Sequence, residues 1–145
     1  MDAKKLILAT IGGGIMMWLL AGLWHMLIMS AYYATATPEG VAREEPMMQF
    51  IVIGYLVLGL LMAYIYPKGY AGGAPLTEGV KFGVAIGLLW VLPHGLVMYG
   101  VHQIGTGALL VVDSLWHVAE QGAGGAVIGL IYSRMATPEP ATTEA

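Results

Sequence analysis

An all-α fold, a polytopic membrane protein built as one four-helix transmembrane bundle, is what three observations on this sequence predict. The 145 residues are 58% hydrophobic and only 10% charged, with a mean hydropathy of +0.75. Soluble domains run at roughly 45–50% apolar and about 25% charged. Four stretches, at 6–30, 47–66, 79–101 and 107–133, reach the roughly 20 residues needed to cross a hydrocarbon core of about 30 Å. Lys4, Lys5, Lys68, Lys81 and Arg134 fall on one side of such a layout, against Arg43 alone on the other. Positive charge is retained on the cytoplasmic side, so both termini are expected there, in a bacterial inner membrane. Residues 1–134 form the expected single domain. The Pro-, Thr- and Glu-rich tail over 135–145 lacks the apolar residues to pack and is expected to be disordered.

The first segment comes after MDAKK, and its apolar run exceeds the roughly 7–15 residues of a secretory signal, although Ala34-Thr35-Ala36 imitates a cleavage site. It is expected to stay as a helix. The connection AYYATATPEGVAREEP, with Glu39, Glu44 and Glu45, is the long outer loop. The second segment closes with Ile65-Tyr66-Pro67-Lys68. The third carries a stripe of Gly79, Gly83 and Gly87, where the missing side chains let a neighbouring backbone approach. Pro93 inside this segment is expected to kink it or free a carbonyl close to His94. After a short outer turn at His102–Gly107, the fourth segment contains Gly122, Gly125 and Gly129, again packing residues, and closes with Ile131-Tyr132-Ser133-Arg134. His25-Met26-Leu27-Ile28-Met29 echoes His94-Gly95-Leu96-Val97-Met98, and the two closing motifs echo each other. These echoes predict a duplicated hairpin with parallel repeats. Tyr32, Tyr33, Tyr66, Tyr99 and Tyr132 are expected as interfacial anchors.

DSLWHVAEQG, residues 113–122, breaks the apolar pattern. At 100° per residue, Asp113, His117, and Glu120 or Gln121 share a helix face with Gly124, the face expected to meet other helices. His94 lies on the stripe of Gly83 and Gly87, and His25 on that of Trp18 and Gly14. At 1.5 Å per residue His25, His94, Asp113 and His117 all lie about 8–15 Å below the outer surface, with Glu120 nearer the midplane. An ionisable side chain at such depth costs at least about 2.5–3.5 kcal/mol, which makes the layer a functional-site hypothesis. Mutual pairing is the least costly arrangement for it.

The residue types set the chemistry. Imidazole with carboxylate suits a transition metal, so His25, His94, Asp113 and His117 are the candidate ligands. His25, His94 and His117 are equally candidate axial ligands of a non-covalent haem, the sequence having no cysteine to attach one. Two carboxylates beside a macrocycle disfavour the haem. Glu120, Gln121 and Gln49 are expected as supporting or proton-relay residues. A proton-coupled solute path is a weaker alternative, because the inner half of the fourth segment holds no titratable side chain before Tyr132. The absence of cysteine also excludes disulfides, iron–sulfur clusters and thiol chemistry, and the absence of a basic run excludes nucleic acid. No catalytic motif supports an enzyme.

GLWHM in the first segment, PLTEG-x-x-x-G opening the third, W-x-x-P in its middle and D-x-x-WH in the fourth together resemble a family of small bacterial four-helix membrane proteins described as a domain of unknown function. The resemblance covers most of residues 6–134. It implies the four-span topology and no activity; it rests on the glycines, tryptophans and spacing of these motifs, and His25 and His94 are not matched to the family pattern. The competing expectation is a structural or assembly subunit. In that reading the polar layer only locks helices, and the glycine-rich faces meet a further copy or a larger membrane complex.

Overall fold

A computed structural model describes residues 2–135. Among the described residues the chain forms α1 (Ala3–Gly22), a π-helical segment (Leu23–Ile28), α2 (Ser30–Ala36), α3 (Met48–Gly69), α4 (Pro75–Val101) and α5 (Gly107–Arg134), with no strand. Apart from Met135, the tail expected to be disordered lies outside the described residues.

Local chemistry sets the helix ends. Asp2 caps α1, its carboxylate accepting from the backbone N–H of Lys4 at 2.9 Å and of Lys5 at 3.4 Å. Pro75 opens α4, where its missing N–H is harmless. Thr106 caps α5 by accepting from the Leu109 N–H at 3.1 Å. The turn between α4 and α5 contains Gly105 at φ +144°, a conformation that L side chains rarely adopt. Pro93 does not break α4, which runs continuously to Val101.

Three helical runs, Ala3–Ile28, Met48–Gly69 and Pro75–Val101, are long and apolar enough to cross a membrane. Four were expected. α5 has the length, at 28 residues, but Asp113, His117, Glu120, Gln121 and its glycines dilute its apolar character. The reason lies in its position. α5 packs along α4 on one side and α1 on the other, α3 packs on α1, and α3 barely meets α4. A helix enclosed by two neighbours needs small residues and partners for its polar groups more than it needs large apolar side chains.

Contact is close along both seams of α5, backbone to backbone against α4 and side chain to backbone against α1. A Cβ added at Gly79 or Gly83 of α4 would overlap the carbonyl of Gly125 or of Gln121 respectively, and at Gly87 it would lie 2.8 Å from the Val118 Cα. On the facing surface, a Cβ at Gly125 would overlap the Gly79 carbonyl and one at Gly129 the Pro75 carbonyl, while one at Gly122 would meet only a Val84 methyl, at 3.3 Å. On the other seam a Cβ at Gly124 would stand 2.6 Å from the Met17 Cγ. Such approach supplies the dispersion contacts on which helix association in lipid depends.

The apolar core joins α1, α3 and α5 through Ala9, Met17, Met62, Ala63, Tyr66 and Ile128. Tyr66 and Tyr132, expected at the interface, belong to this packing. Tyr66 is 4% exposed against Tyr132 and Phe82, and the Tyr132 hydroxyl donates to the Ala63 carbonyl at 2.8 Å. That hydroxyl ties α5 to α3, a use of tyrosine that span boundaries alone do not reveal.

The distribution of side chains is inverted relative to a soluble protein. Leu89 is 71% and Leu27 73% exposed, whereas Glu120 and Gln121 are fully buried. Large apolar residues cover the outside, and the polar groups have been drawn inward.

Candidate metal site

His25 lies in the π-helical segment LWHMLI, where the Met29 N–H donates to the Trp24 carbonyl five residues back at 2.8 Å. The extra residue in this turn rotates the end of the first helical run relative to a regular helix. Trp24 and His25 are half-buried, while Met26, Leu27 and Ile28 are exposed. Trp24 stacks flat on Trp116 of α5, with ring centroids 4.3 Å apart and planes 2° from parallel. The stack holds the π segment against α5 one residue away from His25 on one side and from His117 on the other.

Across this junction the side chains of His25, Asp113 and His117 converge. One ligand atom from each lies within 4.8 Å of the others, a spacing that a metal ion can bridge. The imidazole centroids of His25 and His117 are 5.9 Å apart. Asp113 and His117 are one turn apart on α5, with His117 Nε2 3.7 Å from Asp113 Oδ2. The opposite nitrogen, Nδ1, lies 3.7 Å from Glu120 Oε1. The two imidazole nitrogens therefore face different carboxylates, Nε2 toward the three-residue group and Nδ1 toward the interior.

Each acid is held by further partners. The Tyr33 hydroxyl of α2 donates to Asp113 Oδ1 at 2.8 Å and accepts from the Trp24 indole N–H at 3.2 Å. Burial first, and then the Asp113 carboxylate, push the Tyr33 phenol above the ordinary tyrosine range, so it stays a donor. Glu120 accepts from the Gln121 amide at 2.9 Å on one oxygen and from the Tyr55 hydroxyl of α3 at 3.3 Å on the other. His117 Nδ1, Ser114 Oγ and Gln121 Oε1 are buried without a hydrogen-bond partner among the described residues.

The remaining sequence candidates stand apart from the group. His94 is exposed and lines a cavity whose opposite wall carries Asp113 and His117. The seam of α4 advances in steps of four through Gly87, Val91 and Gly95, so His94, seven residues beyond Gly87, has rotated to its flank. Gln49 is exposed near the start of α3, and no contact joins it to the site among the described residues. Tyr33 and Tyr55, which bond the two acids, carry no motif in the sequence. Trp116 sits beside His117 in D-x-x-WH, but its stacking on Trp24 depends on the π turn, which has no sequence signature.

A cavity of about 430 Å³ opens beside the group between α2, α4 and α5. Trp90 stands edge-on to His117 at its wall, with centroids 5.1 Å apart and planes at 80°. Comparison with protein-family models, curated proteins and solved structures finds no match. The chemistry of the group thus carries the functional argument alone.

Proposed function

We propose that this chain is a four-helix integral membrane protein that binds one divalent transition metal through His25, Asp113 and His117. The single observation that carries the proposal is the convergence of these three side chains from two different helical segments at ligand spacing. Two imidazoles and one carboxylate form the donor set of open zinc and non-haem iron(II) sites. Glu120 stands behind His117, where an acceptor for Nδ1–H would present Nε2 to the ion, as carboxylate–histidine pairs do at metal sites. No observation favours a haem, since His94, the expected partner of His117 for one, lies across the cavity and outside the three-residue group.

In this reading α5 crosses the membrane enclosed by α1 and α4, and the hairpins α1–α3 and α4–α5 form a duplicated unit. Both termini are cytoplasmic, so the group occupies the outer half of the bundle.

Detergent-purified protein, prepared without chelator and reloaded with zinc or, anaerobically, with iron(II), is expected to hold about one ion per chain by elemental analysis. His25→Ala, Asp113→Asn and His117→Ala are each expected to lose the ion while helicity by circular dichroism persists. The competing reading is a structural seam, supported by the Trp24–Trp116 stack and the Tyr33–Asp113 bond that already join these segments. A metal-free wild type, in which His117→Ala only lowers the thermal midpoint, would establish that reading instead.

A further inference from the structure

The cavity beside the metal group is the strongest feature that metal binding alone leaves unused. Asp113, Ser114 and His117 form one side of it, and Trp90, Met98 and Leu110 are among the apolar residues around them. Ser114 is 7% exposed, and its hydroxyl, at this wall, has no hydrogen-bond partner among the described residues. A buried hydroxyl without a partner costs roughly 1–3 kcal/mol, a cost that a bound molecule with a complementary polar atom would remove. Three protein ligands also leave a tetrahedral ion one position short. Two of the three belong to the cavity wall, so a molecule in the cavity would lie beside the residues that would hold the ion.

Charge decides what kind of molecule fits. Asp113 contributes one carboxylate to the ion. Glu120 contributes a second, fully buried behind His117, and both of its oxygens accept hydrogen bonds as a carboxylate's do. The two ligating histidines are neutral imidazoles, His94 on the facing wall is exposed and outside the group, and no lysine or arginine lines the cavity or contacts either acid among the described residues. Two carboxylates balance a divalent ion. An additional anion would leave a net negative charge in a low-dielectric interior, which is strongly unfavourable.

We infer that the cavity binds a neutral, flat, largely apolar molecule that carries a nitrogen or oxygen donor, the donor completing the metal's coordination and the apolar body lying against Trp90. The inference rests on the metal reading. The cavity's size agrees with small-molecule sites, which occupy about 300–1,000 Å³ and combine apolar walls with a few polar groups.

Cobalt(II)-loaded protein in detergent, monitored through its visible ligand-field bands, separates the two proposals. Three probes are titrated: 4-phenylimidazole, imidazole and benzoate. The expected result is a spectral change with both azoles, an affinity for 4-phenylimidazole at least about tenfold above that for imidazole, and no response to benzoate. Trp90→Ala is expected to collapse the ratio between the azoles, which a general loss of stability would not do. Ser114→Ala is expected to weaken both azoles by a similar factor. Equal affinity for the two azoles, or benzoate binding as tightly as 4-phenylimidazole, would overturn the inference while leaving the metal site standing. A protein that takes up no cobalt at all would overturn both.

Discussion

Glu120 is the residue whose setting most exceeds what helix packing requires. It is fully buried, accepts from Tyr55 of a different helix and from its neighbour Gln121, and lies 3.7 Å from His117 Nδ1. A carboxylate in that place fixes the ring and the basicity of a metal-bound imidazole, an effect worth about 10–100-fold in affinity elsewhere. Glu120→Gln keeps the shape but replaces one acceptor by an amide that cannot receive a hydrogen bond. Metal affinity of this variant, measured by competition with a chelating dye, is expected to fall by about 10–100-fold. Unchanged affinity with a lowered thermal midpoint would reduce Glu120 to a partner of Tyr55 and Gln121. Tyr33 acts at the same scale on Asp113, through a hydroxyl that burial keeps protonated and donating.

At the scale of elements, α5 is the helix that the others are built around. Its seam with α4 depends on backbone contact, not on interlocking side chains, and glycines with and without neighbours can therefore be told apart. A Cβ at Gly83 would overlap the Gln121 carbonyl, which is backbone and cannot rotate away. Gly83→Ala is expected to force α4 and α5 apart and to destabilise by about 1–3 kcal/mol or more, read as a lower thermal midpoint in detergent. Gly100, in the last turn of α4, has nothing within 4 Å of an added Cβ. Gly100→Ala is expected to be neutral or to stabilise by about 0.4–1 kcal/mol, through the smaller entropy of the unfolded chain. Equal effects of the two substitutions would contradict the packing described for this seam.

For the whole molecule, the inverted surface is the dominant fact. Exposed leucines and isoleucines surround buried Glu120 and Gln121, an arrangement that suits a hydrocarbon solvent and would be costly in water. In the topology proposed above both ends are cytoplasmic, the side that retains positive charge. Because the chain contains no cysteine, single cysteines can report sidedness without background. Glu44→Cys, in the loop between α2 and α3, is expected to react with a membrane-impermeant maleimide added outside spheroplasts. Lys68→Cys, at the opposite end of α3, is expected to react only after lysis. The reverse pattern would invert the topology and move the metal group to the cytoplasmic half.

Composition, run length and the glycine spacing carried the all-helical, lipid-adapted character of this chain, because burial in a bilayer acts on every residue and leaves a pattern that sums along the sequence. The face shared by Asp113, His117 and Glu120 was likewise legible, since it is a property of one helix and its 100° step. What joins that face was not. His25 reaches it because a six-residue π turn re-aims the end of the first helix, and the Trp24–Trp116 stack fixes the approach. His94, equivalent to His25 by sequence pattern, has rotated to the flank of α4 because the seam there advances in steps of four. The tyrosines that bond the acids come from α2 and α3, at separations of 80 and 65 residues. Rotation and relative placement of helices are set by backbone contact between elements, so only the tertiary structure decided which of the histidines face the same acid.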